Sequence, residues 1–304
     1  MLTVALVSHH GFTAFRAIIL GVIQGVTELF PISSLGHTVI LPKLFGWNEL
    51  VKYQSSSSEN AWLAFIVMLH VGSAVGLLIY FWRDWVAIVK AFFATLGKRK
   101  VETSTERLAW LIIFASIPTG ILGIVLEHPA RVATATPEIA SIFLVVNGFV
   151  LFTAQRLATR SEVRSLARRE GAKRDGGRVL ETLEYREAAG LGVAQSAGLI
   201  AGISRDGMVM AAGLARGLDN ADAARISFLM ATPIILAAGL YKLPDLTGPN
   251  GNGVRGYALL AAVAAAVTAV ITVHFLSRYF KRGNLTPFAI YCVAFGTAMV
   301  IYNA

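Results

Sequence analysis

The side chains best suited to chemistry lie between Gln24 and His37, in the stretch Q-G-V-T-E-L-F-P-I-S-S-L-G-H. A carboxylate (Glu28), two adjacent hydroxyls (Ser33 and Ser34) and an imidazole stand here in an otherwise apolar segment. An ionisable group at bilayer depth costs about 2.5–3.5 kcal/mol on insertion scales, so such groups usually face a polar cavity and mark a functional path. We therefore expect this stretch to form part of an active site.

A second polar cluster, A-G-I-S-R-D-G, runs from Ala201 to Gly207. Its Gly-flanked turn precedes a short helix, and it brings the hydroxyl of Ser204, the guanidinium of Arg205 and free helix N-terminal amides to one point. That arrangement favours an anion, and phosphate most of all. The alternative is that Arg205 and Asp206 only neutralise each other, although adjacent residues on a helix do not face one another.

Together the two clusters could hydrolyse a diphosphate, which needs its charge neutralised, its nucleophile activated and its leaving phosphate held. Glu28 and Gln24, four residues apart on one helix face, would bind a hard cation. An interhelical hydrogen bond is the alternative role for Gln24. The remaining roles are proton transfer for His37, hydroxyl donation for Ser33 and Ser34, and phosphate binding for Ser204, Arg205 and Gly207.

Membrane helices must position these clusters. The 304-residue chain is 55% hydrophobic, with a mean hydropathy of +0.63, which is typical of a multi-spanning membrane protein. Lone histidines in such helices are often packed structural residues, and we assign His70 and His274 to packing. Six runs are long enough, or nearly so, to span as helices of about 20 residues: 61–82, 107–127, 139–156, 226–241, 256–276 and 287–302.

Two further apolar runs, 12–30 and 188–203, are each followed by a Gly/Ser-rich break and a second short apolar piece. Pro31 and Gly36 break the first helix, and irregular backbone is tolerated in a bilayer only where protein or water covers it. We interpret both runs as re-entrant helical hairpins. The alternative is two ordinary spans with polar ends.

The two hairpins are related in sequence. With an offset of 171 residues and no gap, the segments 17–36 and 188–207 share eight identities in twenty positions. The matches include the polar pairs Gln24 with Gln195 and Ser33 with Ser204, as well as two glycines. We therefore predict an internal duplication of one hairpin plus three spans, with repeat 1 over about 12–156 and repeat 2 over about 188–304.

Loop charge predicts the orientation. The net charge of +9 is concentrated in the segments 83–107, 157–187 and 278–282, which the positive-inside rule places in the cytoplasm. This clustering indicates topology and anionic lipid rather than nucleic acid. Three spans separate the hairpins, so they enter from opposite sides and form an inverted repeat with a site near the midplane.

The predicted fold is thus an all-α polytopic membrane protein, with about six transmembrane helices and two re-entrant helical hairpins in an inverted-topology internal repeat. One membrane domain is expected over 1–304, including a basic cytoplasmic loop at about 157–187. Met1 to His10 lacks the features of a cleavable signal peptide. Cys292 is the sole cysteine, which excludes an intrachain disulfide.

Both clusters resemble signatures of one family. The first resembles that of the bacterial undecaprenyl-diphosphatases (the bacitracin-resistance phosphatases), an E/Q-x-x-x-E helix followed by P-x-S-S-x-G-H. G-I-S-R-D-G resembles their second signature, P-G-x-S-R-S-G-A-T. The segments 225–236 and 287–291 resemble further family segments, so the likeness runs from about Ala14 to Tyr291.

The resemblance implies cation-dependent (Mg²⁺ or Ca²⁺) dephosphorylation of undecaprenyl diphosphate to the monophosphate lipid carrier. It also implies a multi-pass protein of the bacterial inner membrane, whose site is formed by two opposed hairpins and faces the periplasm. By position, the match makes Glu28 and Gln24 the pair near the metal and His37 the catalytic histidine. Ser34 matches a proposed nucleophile, and Ser204 and Arg205 the phosphate-binding pair.

The departures from the family pattern all lie in the second half. The family proline is Ala201, the second serine of S-R-S-G is Asp206, a threonine is Val209, and the arginine that often follows P-F-A-I-Y is Cys292. Asp206 puts a negative charge beside an anionic substrate. We therefore predict that Asp206 pairs with Arg205 or joins Glu28 as a metal ligand.

Three functions can be considered for these residues. The leading one is a diphosphatase whose partners are the bilayer and a polyprenyl diphosphate, with the lipid tail in an apolar groove. The second function is a transporter or flippase for the same lipids, or a paralogue that binds them without hydrolysis. It is considered because broken helices in an inverted repeat are typical of transporters. A purely structural protein leaves Glu28, His37 and Arg205 unexplained. The oligomeric state, including a homodimer, stays open.

Overall fold

The fold is known from a computed structural model that describes residues 11–50, 61–134, 136–167, 178, 180–248 and 253–303. These residues are almost entirely helical. The α-helices are α1 (Ala14–Thr27), α2 (Ser34–Leu44), α3 (Ala61–Tyr80), α4 (Trp82–Lys98), α5 (Ser104–Thr134), α6 (Pro137–Ala167), α7 (Tyr185–Ser196), α8 (Arg205–Ala215), α9 (Asn220–Thr247), α10 (Arg255–Tyr279) and α11 (Thr286–Asn303).

The prediction of an all-α polytopic membrane protein is confirmed. Six helices within the described ranges are long and apolar enough to cross a membrane, and each contains one of the six predicted runs nearly or wholly. Their spanning segments are Trp62–Tyr80, Ser104–Thr134, Pro137–Arg160, Asn220–Lys242, Arg255–Tyr279 and Thr286–Asn303.

One predicted loop is a helix. The basic segment 83–107 was expected to connect two spans, but most of it forms α4. Trp82, Val86, Val89, Phe93 and Leu96 recur at helical spacing along its exposed side. A helix with an apolar stripe and basic residues is typical of one that lies in the membrane interface.

Two helix pairs are too short to span. Helices α1 and α2 contain 14 and 11 residues, and α7 and α8 contain 12 and 11, whereas a span needs about 20. The first break covers residues 28–33 and the second 197–204, including a 3₁₀ turn at Ala197–Leu199. The first break begins two residues before the predicted end of the run 12–30, whereas the second begins at residue 197, inside the predicted run 188–203. The re-entrant course of the pairs in a bilayer stays a prediction.

Each short helix pair packs on a long helix of the other half of the chain. At Gly21 of α1, an added Cβ would come within 2.4 Å of the Ala261 carbonyl oxygen of α10. At Gly192 of α7, it would come within 1.9 Å of the Ala115 carbonyl oxygen of α5. Small residues allow such close helix approach in membranes, so these glycines fix where the breaks sit.

Several sequence interpretations fall outside the described residues. They concern Met1 to His10 and, within the predicted basic loop 157–187, residues 168–177 and 179. The described part of that segment is not all loop, because residues 157–167 continue α6 and α7 begins at Tyr185. The division into two repeats also stays a prediction, although Gly21 and Gly192, which the 171-residue offset pairs, hold matching places in the packing.

Candidate active site

Glu28 is the centre of the site. It caps the C-terminus of α1, and its side chain is only 4% exposed. Its Oε2 accepts hydrogen bonds from Gln24 Nε2 at 2.9 Å and from the Ser34 hydroxyl. Its Oε1 accepts from Arg205 Nη2 at 2.8 Å. Because Gln24 and Ser34 come from the first helix pair and Arg205 from the second, one carboxylate joins both sequence clusters.

Arg205 lies between two carboxylates. Its Nη2 is 2.8 Å from Glu28 Oε1 and 3.5 Å from Asp206 Oδ1. Arg205 and its neighbour Asp206 therefore do approach one another, but the shorter contact of Arg205 is to Glu28, which is 177 residues away in the sequence. The Nε of Arg205 and both carboxylate oxygens of Asp206 are buried and have no hydrogen-bond partner within the described residues.

The two breaks also touch through their backbones. Gly202 N–H donates to Ser33 Oγ at 3.1 Å, and Gly36 N–H donates to the same oxygen at 3.1 Å. Gly202 has a φ of +101°, and an added Cβ there would lie 2.3 Å from the Ala140 carbonyl oxygen. Only glycine fits this crossing without rearrangement.

Asn147 of α6 links the two breaks a second time. Its Nδ2 donates to the Pro31 carbonyl at 3.0 Å, and its Oδ1 accepts from Ser204 N–H at 2.9 Å. A single buried side chain thus satisfies one backbone group in each break. The sequence gives no signal for this role, since Asn147 stands alone in an apolar run far from both clusters.

Three residues expected to bind substrate take part in helix capping, two as caps and one as the donor of a capped amide. Ser33 caps α2 and Ser204 caps α8, where its Oγ accepts from Gly207 N–H at 3.0 Å. The amide of Gly207 is therefore not free, contrary to the expectation of open N-terminal amides, because the serine side chain already bonds it. A substrate-binding role for Ser33, Ser204 and Gly207 stays a prediction.

His37 points away from Glu28. Its Nδ1 lies 2.7 Å from the Ser33 carbonyl oxygen and its Nε2 lies 2.8 Å from Tyr291 Oη. The ring stacks against Tyr291 and Phe295. A carbonyl oxygen can only accept, so Nδ1 carries the proton and Nε2 accepts from Tyr291 in the neutral ring. Its catalytic role stays a prediction.

His70, which the sequence assigned to packing, lies at the site instead. Its Nε2 is 3.4 Å from Glu28 Oε2, and its Nδ1 is 2.9 Å from the Ile66 carbonyl oxygen. Sequence reasoning missed it because His70 belongs to α3, outside both clusters. The available signal was an ionisable residue at bilayer depth, which by itself predicts a functional location.

The donor atoms fit a hard divalent cation that also binds phosphate. Gln24 Oε1 and both oxygens of Asp206 are buried without hydrogen-bond partners, and such cations take oxygen ligands. Within the described ranges, no group of three or more His, Cys, Asp or Glu could hold a metal by itself. Magnesium commonly binds through one or two carboxylates and completes its shell with substrate phosphates and water.

Fold and site together define the class, a polytopic helical membrane protein with a buried acidic and cationic centre where two broken helices meet. The chain belongs to the family described as bacitracin resistance protein BacA, whose model matches residues 17–298.

Curated relatives cover nearly the whole chain. It is 44% identical to undecaprenyl-diphosphatase 2 of Frankia alni, over 96% of this chain and 98% of the relative. The undecaprenyl-diphosphatase of Mycolicibacterium paratuberculosis is also 44% identical, with 95% and 97% covered. The undecaprenyl-diphosphatase of Acidiphilium cryptum is 38% identical, with 95% and 98% covered.

Proposed function

We propose that this protein hydrolyses undecaprenyl diphosphate, or a related polyprenyl diphosphate, to the monophosphate and inorganic phosphate. The observation that carries the proposal is the position of Glu28, whose two carboxylate oxygens contact Ser34 of one helix pair and Arg205 of the other. A hydroxyl, a base and a guanidinium thus converge on one point in a family whose relatives bear the name of this activity.

Glu28 and Ser34 supply a nucleophile and its base. The Ser34 hydroxyl donates to Glu28 Oε2, so the carboxylate can accept that proton as the oxygen attacks the terminal phosphorus. The bond from that phosphorus to the bridging oxygen then breaks, and the lipid monophosphate leaves. Attack by Ser34 itself would form a phosphoserine that water later cleaves. Attack by a water molecule would use the same base without a covalent intermediate. Either route releases inorganic phosphate and leaves the lipid monophosphate.

Arg205 supplies the charge that binds the phosphates. Its Nη2 is engaged by Glu28, while its Nε has no partner within the described residues. A diphosphate offers several oxygens to the guanidinium fork, which binds phosphate in a bidentate manner. We expect the substrate to draw Arg205 from Glu28 Oε1, which removes a positive charge from the carboxylate and makes its Oε2 a stronger base toward Ser34.

A divalent cation, Mg²⁺ or Ca²⁺, would be held by Glu28, Gln24 and Asp206 together with the substrate phosphates. When bound, it supplies neutralisation of the charge that develops on the phosphoryl oxygens. Asp206 supports this assignment because its buried carboxylate accepts no hydrogen bond from the described residues, and its neighbour Arg205, 3.5 Å away, makes its shorter contact to Glu28, so a second cation would compensate the charge more fully.

An apolar groove next to the second break supports a lipid substrate. It has a volume of about 390 Å³ and is bordered by α5, α6 and the break, including Leu199 and Ile200. A prenyl tail could lie there while the diphosphate reaches Arg205. We further propose that the protein lies in the bacterial inner membrane with this site open toward the periplasm, as the family resemblance implies.

The test is phosphate release from a polyprenyl diphosphate by purified protein in detergent. We would compare wild type, Glu28→Gln and Arg205→Ala, each with Mg²⁺, with Ca²⁺ and with a chelator. Cation-dependent release that both substitutions abolish supports the proposal. Wild-type protein that is folded and binds the lipid but releases no phosphate would overturn it and favour a lipid transporter.

A further inference from the structure

His70 has a geometry that the proposed chemistry leaves unexplained. Its Nδ1 faces the Ile66 carbonyl oxygen at 2.9 Å, and a carbonyl cannot donate, so Nδ1 carries the proton. In the neutral ring, Nε2 is then a bare lone pair. That lone pair lies 3.4 Å from Glu28 Oε2, also an acceptor. Two acceptors face one another stably only with a cation between them.

The distance favours a metal ion over a proton. A charge-assisted N–H to carboxylate hydrogen bond is about 2.7–2.9 Å long, shorter than the separation seen here. Two ligand atoms held about 2.1 Å from one ion at a tetrahedral angle lie roughly 3.4 Å apart. The N–H of a metal-binding histidine typically donates to a backbone carbonyl, which is the arrangement of His70 and Ile66.

A third donor belongs to Gln24, which also contacts Glu28 Oε2. Gln24 Nε2 is bonded to Glu28 Oε2, while Gln24 Oε1 is buried and has no hydrogen-bond partner within the described residues. Gln24 itself is fully buried. Gln24 and His70 thus both approach Glu28 Oε2, and the unpartnered amide oxygen of Gln24 offers a third donor for a mixed nitrogen and oxygen ligand set.

We propose that His70 Nε2 is a ligand of the divalent cation held at Glu28. This inference rests on the proposed function. The site would then bind cations that accept imidazole, such as Co²⁺, Zn²⁺ and Mn²⁺, more tightly than an all-oxygen site does, and would favour them over Ca²⁺.

The test is pulsed electron paramagnetic resonance of Mn²⁺ bound to the chelator-stripped full chain in detergent. Wild-type protein should show coupling to a histidine nitrogen, which changes when the protein is labelled with ¹⁵N-histidine. His70→Gln should abolish that coupling. The matched control is His274→Gln, because His274 is also an intramembrane histidine but contacts the Tyr80 ring. The coupling should survive in that variant.

Metal competition gives a second readout. His70→Gln should weaken Co²⁺ binding at least roughly tenfold, the scale of effects seen around metal sites. Ca²⁺ binding should change much less, because Ca²⁺ takes oxygen ligands. Absence of histidine coupling in wild type, which needs no variant to fold, would overturn the inference, as would coupling that persists in His70→Gln. The phosphate-release assay tests the proposed function separately, so the ligand role of His70 and the proposed function can each be refuted without the other.

Discussion

The two helix breaks have similar backbone arrangements but different functional side chains. Under the 171-residue offset Ser33 corresponds to Ser204, and each caps the helix that follows it. Ser34 corresponds to Arg205, and both contact Glu28. The position that corresponds to Glu28 itself is Leu199, which lines an apolar groove.

This difference shows that one acidic centre serves both breaks. Gln24 donates to Glu28, whereas its counterpart Gln195 lies 3.1 Å from the Thr119 hydroxyl in a packing contact. Two similar backbone arrangements therefore carry different groups: the first break positions the Glu28 carboxylate and the Ser34 hydroxyl, and the second positions the Arg205 guanidinium. A second carboxylate at Leu199 would place like charges near one another without a second cation.

The largest expected effect follows loss of the single acidic centre. Glu28→Gln keeps the shape but removes the base and the charge that Arg205 pairs with. Phosphate release should fall roughly 10³-fold or more, within the range for lost general-base catalysis. Glu138→Gln is the matched control, since Glu138 is a half-exposed carboxylate paired with Lys43 at 2.5 Å. Equal activity of Glu28→Gln and wild type would show that the breaks do not share this centre.

Arg205→Lys tests the contribution of the second break. Lysine keeps the positive charge but loses the planar fork, so release should fall about 10²-fold, as for loss of one transition-state donor. Arg216→Lys is the control, because Arg216 lies on the exposed surface 3.7 Å from Glu187. Kinetics that match wild type would mean that charge alone suffices.

Asn147 allows the two breaks to be separated. Asn147→Leu leaves the Ser204 amide unpaired and the Pro31 carbonyl with only a 4.0 Å contact to Cys292 Sγ, and a buried orphan costs about 1–3 kcal/mol. The melting temperature should fall, and hydrogen exchange at the Ser204 amide should accelerate. Asn147→Asp can still accept from Ser204, so that amide should stay protected. Equal exchange in the two variants would contradict the bridge.

Asp206→Ser should separate stability from cation use. Asp206 accepts no hydrogen bond within the part of the chain that the structure describes, and Arg205, 3.5 Å away, keeps its shorter contact to Glu28 when Asp206 is replaced, so the melting temperature of chelator-treated protein should rise. The cation concentration for half-maximal phosphate release should rise severalfold if Asp206 is a ligand. An unchanged cation dependence would remove Asp206 from the proposed ligand set while leaving Glu28 in place.

The smallest effect concerns the start of the second helix pair. Arg178 donates hydrogen bonds to both carboxylate oxygens of Glu187, and the backbone N–H of Glu184 donates a further one. These bonds, those from Arg178 most of all, lower the pKa of Glu187 to about 2 from its ordinary 4.5. A lowered pKa stabilises the fold above pH 4.5, and that stabilisation is lost as the pH falls toward 2. Melting of wild type should therefore drop more steeply across this range than melting of Glu187→Gln. Parallel curves would contradict the pairing.

Composition and local pattern predicted most of the fold. The six spans follow from apolar runs of bilayer length, because water-free lipid forces the backbone to satisfy its own hydrogen bonds in helices. The breaks around Pro31 and Gly202 follow from residues that disrupt helices or adopt positive φ. The sequence analysis assigned the α4 segment to a loop because it considered only the length and charge of that segment, and basic residues between two spans are typical of a loop.

The pairing of the two clusters was also foreseeable, since an internal repeat places corresponding segments near one another. The sequence by itself determined which residue types could do chemistry, namely Glu28, Ser34 and Arg205. Only the tertiary structure decided the partners. It brought His70 of α3 to the carboxylate, directed His37 toward Tyr291, and used Asn147 to join the breaks. These contacts join residues far apart in the chain, so helix packing rather than local pattern sets them.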